Sequence, residues 1–205
     1  MAGYDPRGAW GQGLSYAVAN RGACHLSATT FALEVFMGFL NPYTTRAKAH
    51  FVKFFENLFA AVNSLHVCQF TAFAYVLEEP IVKYTPKWML RFNMQYLPRV
   101  AQKLILIPTL TGLFNSVTGL KLSQAEFLRA GERIHTLERL MNTREGISRK
   151  DDTLPARFLR EGRACDPLKR TVPLETMLDE YYHLRGFDNR GIPLAQTLSR
   201  LGLNA

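Results

Sequence analysis

The sequence has 205 residues, of which 47% are hydrophobic and 20% charged, which is typical of a folded globular protein and excludes a largely disordered one. The formal net charge is +8, but after residue 120 arginines alternate with acids, a pattern typical of solvated helix faces. We therefore expect no nucleic-acid partner. In residues 1–120, however, ten Lys/Arg stand against five acids, so a basic face for an acidic partner or an anionic cofactor stays open.

The N-terminal ten residues carry no apolar signal core. The longest apolar stretch, Leu104 to Phe114, contains a proline and is too short to span a bilayer. We therefore expect a cytoplasmic protein with no membrane partner. The three cysteines are few and far apart, which argues against a disulfide framework.

The hydrophobic spacing is mostly helical. Thr44 or Thr45 is predicted to cap a helix whose apolar stripe is Phe51, Phe54, Phe55, Leu58, Phe59 and Val62. Ser123 and Glu126 form a capping-box pattern at the start of a second helix. Its predicted apolar face is Phe127, Ile134, Leu137 and Met141.

Further on, a third helix aligns Leu174, Met177, Leu178 and Tyr181 and ends at Gly186, and a last helix runs from Pro193 to about Gly202. The stretch HVCQFTAFAYV (66–76) has weak strand character but is better explained as a buried helix. We predict an all-α fold with one helical domain over 1–118 and a second over 119–205.

Cys24 and His25 stand side by side in a connection between two helices. Imidazole transfers protons near neutral pH and binds metals, so either role is open, as is an inert one. A zinc site combining this pair with His66 and Cys68 matches no standard spacing. Asp151 and Asp152 are either paired acid/base carboxylates or caps for a helix beginning near Pro155.

Three long blocks together resemble one family: YDPRGAWGQGLSYAVANRGACHL (4–26), ERLMNTREGISRKDDTLPARFL (138–159) and MLDEYYHLRGFDNRGIP (177–193). They are similar to the C-terminal half of the tungsten-containing aldehyde ferredoxin oxidoreductases. The resemblance implies a helical C-terminal part of an anaerobic enzyme. Such an enzyme holds tungsten or molybdenum between two molybdopterins beside a 4Fe–4S cluster, oxidises aldehydes to carboxylates, and passes the electrons to ferredoxin.

The resemblance also implies roles for single residues. His25, in RGACHL, matches a histidine near the metal that assists proton transfer, and Cys24 becomes a packing neighbour. Cys68 matches the cluster ligand of an Asp-x-x-Gly-Leu-Cys motif, in which Asn63 and Val67 stand at cofactor-binding positions. Here Asn63 replaces the aspartate and His66 the glycine, which weakens the expectation of standard pterin binding.

The other three cluster cysteines of the family, in a Cys-x-x-Cys-x-x-x-Cys run, are absent from these 205 residues, as is the pterin-binding base domain. A four-iron cluster ordinarily takes four thiolates, so we expect this chain to be inactive without the N-terminal part of the enzyme. It is then a truncated form, a split-gene subunit or a degenerate fragment, and homo-oligomers are possible. The alternative is a cofactor-free helical remnant with a structural or interaction role.

Overall fold

The computed structural model describes residues 3–70 and 83–203. The helices that these ranges contain in full are α1 (Trp10–Val18), α2 (Lys48–Asn63), α3 (Lys87–Tyr96), α4 (Pro98–Leu104), α5 (Pro108–Thr118), α6 (Gln124–Arg144), α7 (Ala156–Arg160), α8 (Leu174–Arg185) and α9 (Ala195–Leu201). The helix predicted over 66–76 lies for the most part outside the described residues.

The connections contain short elements of other kinds. A 3-10 turn covers Pro6–Gly8, and a π-helix covers Ala32–Phe36. Within the described ranges, the β-type pairing is a single antiparallel bridge between Phe187 and Pro193, with no extended strand. The predicted all-α class is confirmed.

Helix α2 is the centre of the core, where it packs against α1, α6 and α8. The predicted stripe is confirmed, because all six of its side chains are buried. The predicted cap is wrong: α2 begins at Lys48, after Ala47 in the left-handed conformation (φ 66°) and without a side-chain cap. Lys48, the first residue of the helix, is buried, and its Nζ lies 2.5 Å from Oε1 of Glu34.

Helix α6 packs against α2 more extensively than any other pair of described helices does. The capping box is confirmed, since Ser123 Oγ accepts from the Glu126 amide (3.3 Å) and Glu126 Oε2 accepts from the Ser123 amide (2.8 Å). The predicted apolar face is partly wrong: Leu137 and Met141 are 44% and 59% exposed. The buried face instead carries polar residues that find partners in the core, among them His135 and Arg139.

The C-terminal part follows its sequence signals closely. All four predicted apolar residues of α8 are buried, and Gly186 ends the helix with φ 68°. Pro193 lies just before α9, which begins at Ala195, and Gly202 ends that helix with φ 67°. Since α2 packs against α6 and α8, elements from both sides of residue 118 share one core, and the proposed domain boundary stays a prediction.

No single helix in the described ranges is long and apolar enough to cross a membrane. Helices α4 and α5 pass that test only as a pair, by length and composition, and are bent by 54° at the break between them.

Candidate functional site

The connection after α1 holds His25 and Cys24. His25 is half-buried; its ring meets that of Tyr4 edge-on with centroids 5.9 Å apart, and its carbonyl accepts from Thr29 Oγ1 at 3.1 Å. Arg21 Nη2 lies 3.3 Å from Cys24 Sγ. Burial raises the pKa of Cys24, but the Leu26 amide and Arg21 outweigh it, so this pKa lies below its usual range.

The second candidate segment follows the end of α2. The chain turns through His66, which has φ 54°, and then exposes Val67 and Cys68 to solvent. Asn63 Oδ1 accepts a hydrogen bond from Gln69 Nε2 at 3.1 Å. A left-handed residue at position 66 explains why a glycine suits that place in the motif: only glycine adopts this conformation without a steric cost.

These two segments meet at one cavity of about 290 Å³ between α2 and α6. Leu26 and Ser27 line it from the first segment, and Asn63, His66 and Gln69 from the second. The structure therefore brings the two predicted motifs together. His25, Val67 and Cys68 are adjacent in sequence to lining residues but do not line the cavity themselves.

Four buried polar atoms around this cavity have no hydrogen-bond partner in the described part of the chain: Asn20 Oδ1, Glu56 Oε1, Gln69 Oε1 and His135 Nδ1. Buried polar atoms are nearly always satisfied, so four at one cavity indicate that it takes water or a polar ligand. The three oxygens accept hydrogen bonds only, and the cavity therefore favours a group rich in N–H or O–H donors.

The wall formed by Glu56 and His135 belongs to a buried polar network. Glu56 Oε2 accepts from Tyr181 (2.7 Å) and Arg185 (2.6 Å), and His135 Nε2 lies 3.4 Å away. Burial and Arg185 lower the pKa of His135, which keeps the ring neutral. With its proton on Nε2, facing Glu56, the ring presents Nδ1 to the cavity as an acceptor.

Sequence reasoning missed this network. Glu56 interrupts the Phe-rich stripe of α2, and a charged residue inside an apolar helix face is a signal that it has a buried partner. His135 carried no such signal, because its partner lies 79 residues away in sequence and only the α2–α6 packing joins them. No sequence pattern singles out Asn20 or Gln69 either.

Neither the zinc site nor the paired-carboxylate site that the sequence left open is formed by the described residues. The described residues contain no group of three or more His, Cys, Asp or Glu side chains placed to hold a metal ion, so the four-residue zinc site is absent from them. Asp152 neither pairs with Asp151 nor caps α7, because it is buried and accepts from both terminal nitrogens of Arg139 (2.7 and 2.6 Å) and from Tyr182. Asp151 is exposed and accepts from the Ser148 amide.

Comparison with known proteins identifies the family of the chain. Residues 1–203 match the family described as aldehyde ferredoxin oxidoreductase, domains 2 and 3. The chain is 32% identical, over 209 aligned residues, to the tungsten-containing aldehyde ferredoxin oxidoreductases of Pyrococcus horikoshii and Pyrococcus furiosus, and 30% identical to that of Thermococcus kodakarensis. Each alignment covers 99% of this chain and 29% of the relative. The chain spans less than a third of the length of these relatives, and it belongs to the aldehyde ferredoxin oxidoreductase family.

Proposed function

We propose that this chain is the C-terminal part of a tungstopterin aldehyde oxidoreductase, which converts an aldehyde and water to a carboxylate and passes the electrons to ferredoxin. The observation that carries the proposal is the cavity at which the 20–27 and 63–69 segments converge. Both segments are those that the family resemblance links to the metal centre. The curated relatives are named as tungsten-containing enzymes of this activity.

The residues around the cavity fit a pterin. Its ring N–H groups and its amino group donate hydrogen bonds, and the acceptors Asn20 Oδ1, Gln69 Oε1 and Glu56 Oε1 have no donor among the described residues. Asn63 would hold the pterin through its amide, which keeps an acceptor oxygen and gains a donor group although the motif's carboxylate is lost, and Val67 would contact it through the backbone. Tungsten (or molybdenum) held by two such pterins supplies oxygen transfer and two-electron redox chemistry.

Cys68 would give one thiolate to a 4Fe–4S cluster. Its thiol is free and exposed, as a ligand to a cluster held at a boundary between two parts of a protein must be. Three further thiolates have to come from elsewhere, so the N-terminal part of the enzyme is the required partner. We infer that the isolated chain has no aldehyde-oxidising activity.

His25 would serve as the acid/base group. The Tyr4 ring and the Thr29 hydroxyl fix the orientation of its segment, and an imidazole accepts a proton near neutral pH, as oxidation of a hydrated aldehyde requires. Cys24 would pack beside it and has no ligand role.

Co-production with an upstream region that carries the Cys-x-x-Cys-x-x-x-Cys run, under anaerobic conditions, tests the proposal. Tungsten and iron in the purified complex, together with dye-coupled aldehyde oxidation, are the expected result. His25→Asn should reduce turnover at least about 100-fold with unchanged metal content, within the range general acid–base catalysis contributes. The matched variant His183→Asn, on the exposed side of α8, should retain activity. A complex free of both metals would favour the alternative of a cofactor-free structural protein.

A further inference from the structure

Helices α3, α4 and α5 and the residues flanking them, 83–121, present an unusual surface, which we call the basic apolar face. Many of its large apolar side chains are exposed, among them Tyr84, Trp88, Phe92, Tyr96, Leu97, Val100, Leu104, Leu106, Leu113, Val117 and Leu120. Trp88 is 72% exposed and Val117 85%. So many exposed large apolar side chains within one segment are typical of an interaction site.

The charge of this face has one sign. Between Glu79 and Glu126 the sequence contains no acidic residue and six basic ones: Lys83, Lys87, Arg91, Arg99, Lys103 and Lys121. All six are exposed, and none forms an ion pair with an acid in the ranges that the structure describes. The excess of basic residues in the first 120 residues is thus concentrated in one segment, where it lies among exposed apolar side chains.

The aromatic residues of α3 are aligned. Trp88, Phe92 and Tyr96 follow at four-residue spacing on one side of the helix, and the rings of Phe92 and Tyr96 stack with centroids 5.1 Å apart. The Arg46 guanidinium lies 4.9 Å from the Tyr96 ring centre. Together with Arg91 they border an open groove of about 550 Å³, and none of the described residues that line it is acidic.

Helices α4 and α5 continue the surface with aliphatic side chains. As a bent pair they are long and apolar enough to resemble a broken membrane span, although each alone is too short. Proline begins both helices, and the chain changes direction by 54° between them. A pair of short apolar helices with this bend can lie in the plane of a bilayer interface without crossing it.

We propose that the basic apolar face binds the surface of an anionic lipid membrane. Trp and Tyr side chains favour the headgroup level, aliphatic side chains enter the upper acyl region, and Lys and Arg attract anionic headgroups. The expectation of no membrane partner rested on the lack of a segment long enough to span a bilayer. Binding to a membrane surface needs none. This inference does not depend on the oxidoreductase assignment.

Other occupants fit less well. A second copy of the chain would set six cations against the same six, and like charges at an interface repel. Single-stranded nucleic acid would stack on the aromatic rings of α3 but gains nothing from exposed Leu104, Val117 and Leu120. An acidic protein, including the rest of this enzyme, shares the charge preference and is therefore an outcome that the experiment must distinguish.

The test is co-sedimentation of the 205-residue chain with phosphatidylcholine vesicles that contain or lack phosphatidylserine. We expect at least about tenfold tighter binding to the anionic vesicles and strong weakening in high salt, because several basic residues contribute to the attraction. Trp88 emission should shift to the blue and be quenched by brominated acyl chains. Absence of binding to anionic vesicles, or binding without quenching, would overturn the proposal.

Paired variants separate this face from the general positive charge of the protein. Replacing Lys87, Arg91 and Lys103 with Gln should reduce vesicle affinity at least about fivefold, whereas Gln at the exposed Arg144, Lys150 and Arg160 should change it less than twofold. Equal losses in the two triple variants would mean non-specific attraction and would contradict the proposal.

A second pair of variants tests whether apolar side chains of the basic apolar face insert into the bilayer. Trp88→Ser combined with Val117→Ser should weaken binding, whereas Met141→Ser with Leu168→Ser, at exposed apolar sites elsewhere, should not. Two further outcomes would overturn the proposal in favour of a protein partner. One is binding to poly-glutamate that matches binding to vesicles; the other is loss of vesicle binding when the upstream region of the enzyme is co-produced.

Discussion

Gly131 of α6 lies directly against the backbone carbonyl of Asn57 in α2, so closely that a Cβ at position 131 would be 1.8 Å from that oxygen. The two longest helices of the described ranges therefore cross without a side chain between them. This crossing sets Glu56 of α2 beside His135 of α6, one turn from the contact. The position of the cavity wall depends on a glycine.

Gly131→Ala should destabilise the fold by about 2 kcal/mol or more, because backbone atoms of α2 have to move. Urea unfolding followed by circular dichroism measures this free energy. Gly112→Ala, in the middle of α5, is the matched control, since no described atom beyond its own stretch of helix lies within 4 Å of the place that an added methyl group would take. It should leave the protein as stable or up to about 1 kcal/mol more stable. Equal effects at the two positions would contradict the close crossing.

Asp152→Asn should cost about 3 kcal/mol or more of unfolding free energy. The carboxylate is buried with the guanidinium of Arg139, and removing one partner of a buried pair leaves the other charge uncompensated. Asp151→Asn, one residue away, should cost less than about 1 kcal/mol, because that side chain is exposed and accepts only from Ser148. A larger effect at position 151 would revive the hypothesis that these acids act as a pair.

Glu132 should contribute to acid sensitivity. Burial raises its pKa, but Arg200 and Lys53 outweigh it and lower the pKa from 4.5 to about 2. A carboxyl group with a depressed pKa stabilises the folded state above its unfolded pKa. That contribution is lost as the pH falls from about 5 towards 2, and after solvent screening it amounts to roughly 1 kcal/mol.

Glu132→Gln should therefore flatten the fall in unfolding free energy between pH 5 and 3. Burial raises the pKa of Glu180, so this side chain stabilises the folded protein increasingly as the pH falls. Glu180→Gln removes that contribution and should make the unfolding free energy fall more steeply between pH 5 and 3. Identical pH profiles for the two variants would show that Arg200 and Lys53 do not lower the pKa of Glu132.

His66→Gly should change the unfolding free energy by less than about 0.5 kcal/mol. The left-handed conformation at φ 54° costs a non-glycine residue roughly 1 kcal/mol, and glycine relieves this cost but loses more entropy on folding. His66→Val should destabilise by about 1 kcal/mol or more, since a β-branched side chain tolerates that conformation least. If Val and Gly are equally stable, the turn after α2 has another shape.

The sequence was a good guide to local structure and a poor one to contacts between helices. The capping box at Ser123 and the glycine that ends α8 depend on neighbours a few residues away, and both were predicted. The start of α2 was not, because Lys48 is fixed by Glu34 and by the carbonyl of Asn41. Contacts made by residues outside the helix decide where it begins.

The candidate site shows the same division. The segments that hold His25 and Cys68 were identified from their motifs, and they do meet at one cavity. The polar wall opposite them, Glu56 with His135, was not foreseen, because it exists only where α6 crosses α2.

The cluster ligand is the most direct point at which to test the central claim. The measurement is iron content together with the electron paramagnetic resonance spectrum of the reduced, anaerobically co-produced complex, compared for the unaltered protein, Cys68→Ser and Cys165→Ser. The account predicts about four iron atoms and a reduced-cluster signal that Cys68→Ser abolishes or alters. Cys165→Ser, at another free and exposed cysteine, should leave both unchanged. Iron content and spectrum that are indifferent to Cys68→Ser would contradict the account.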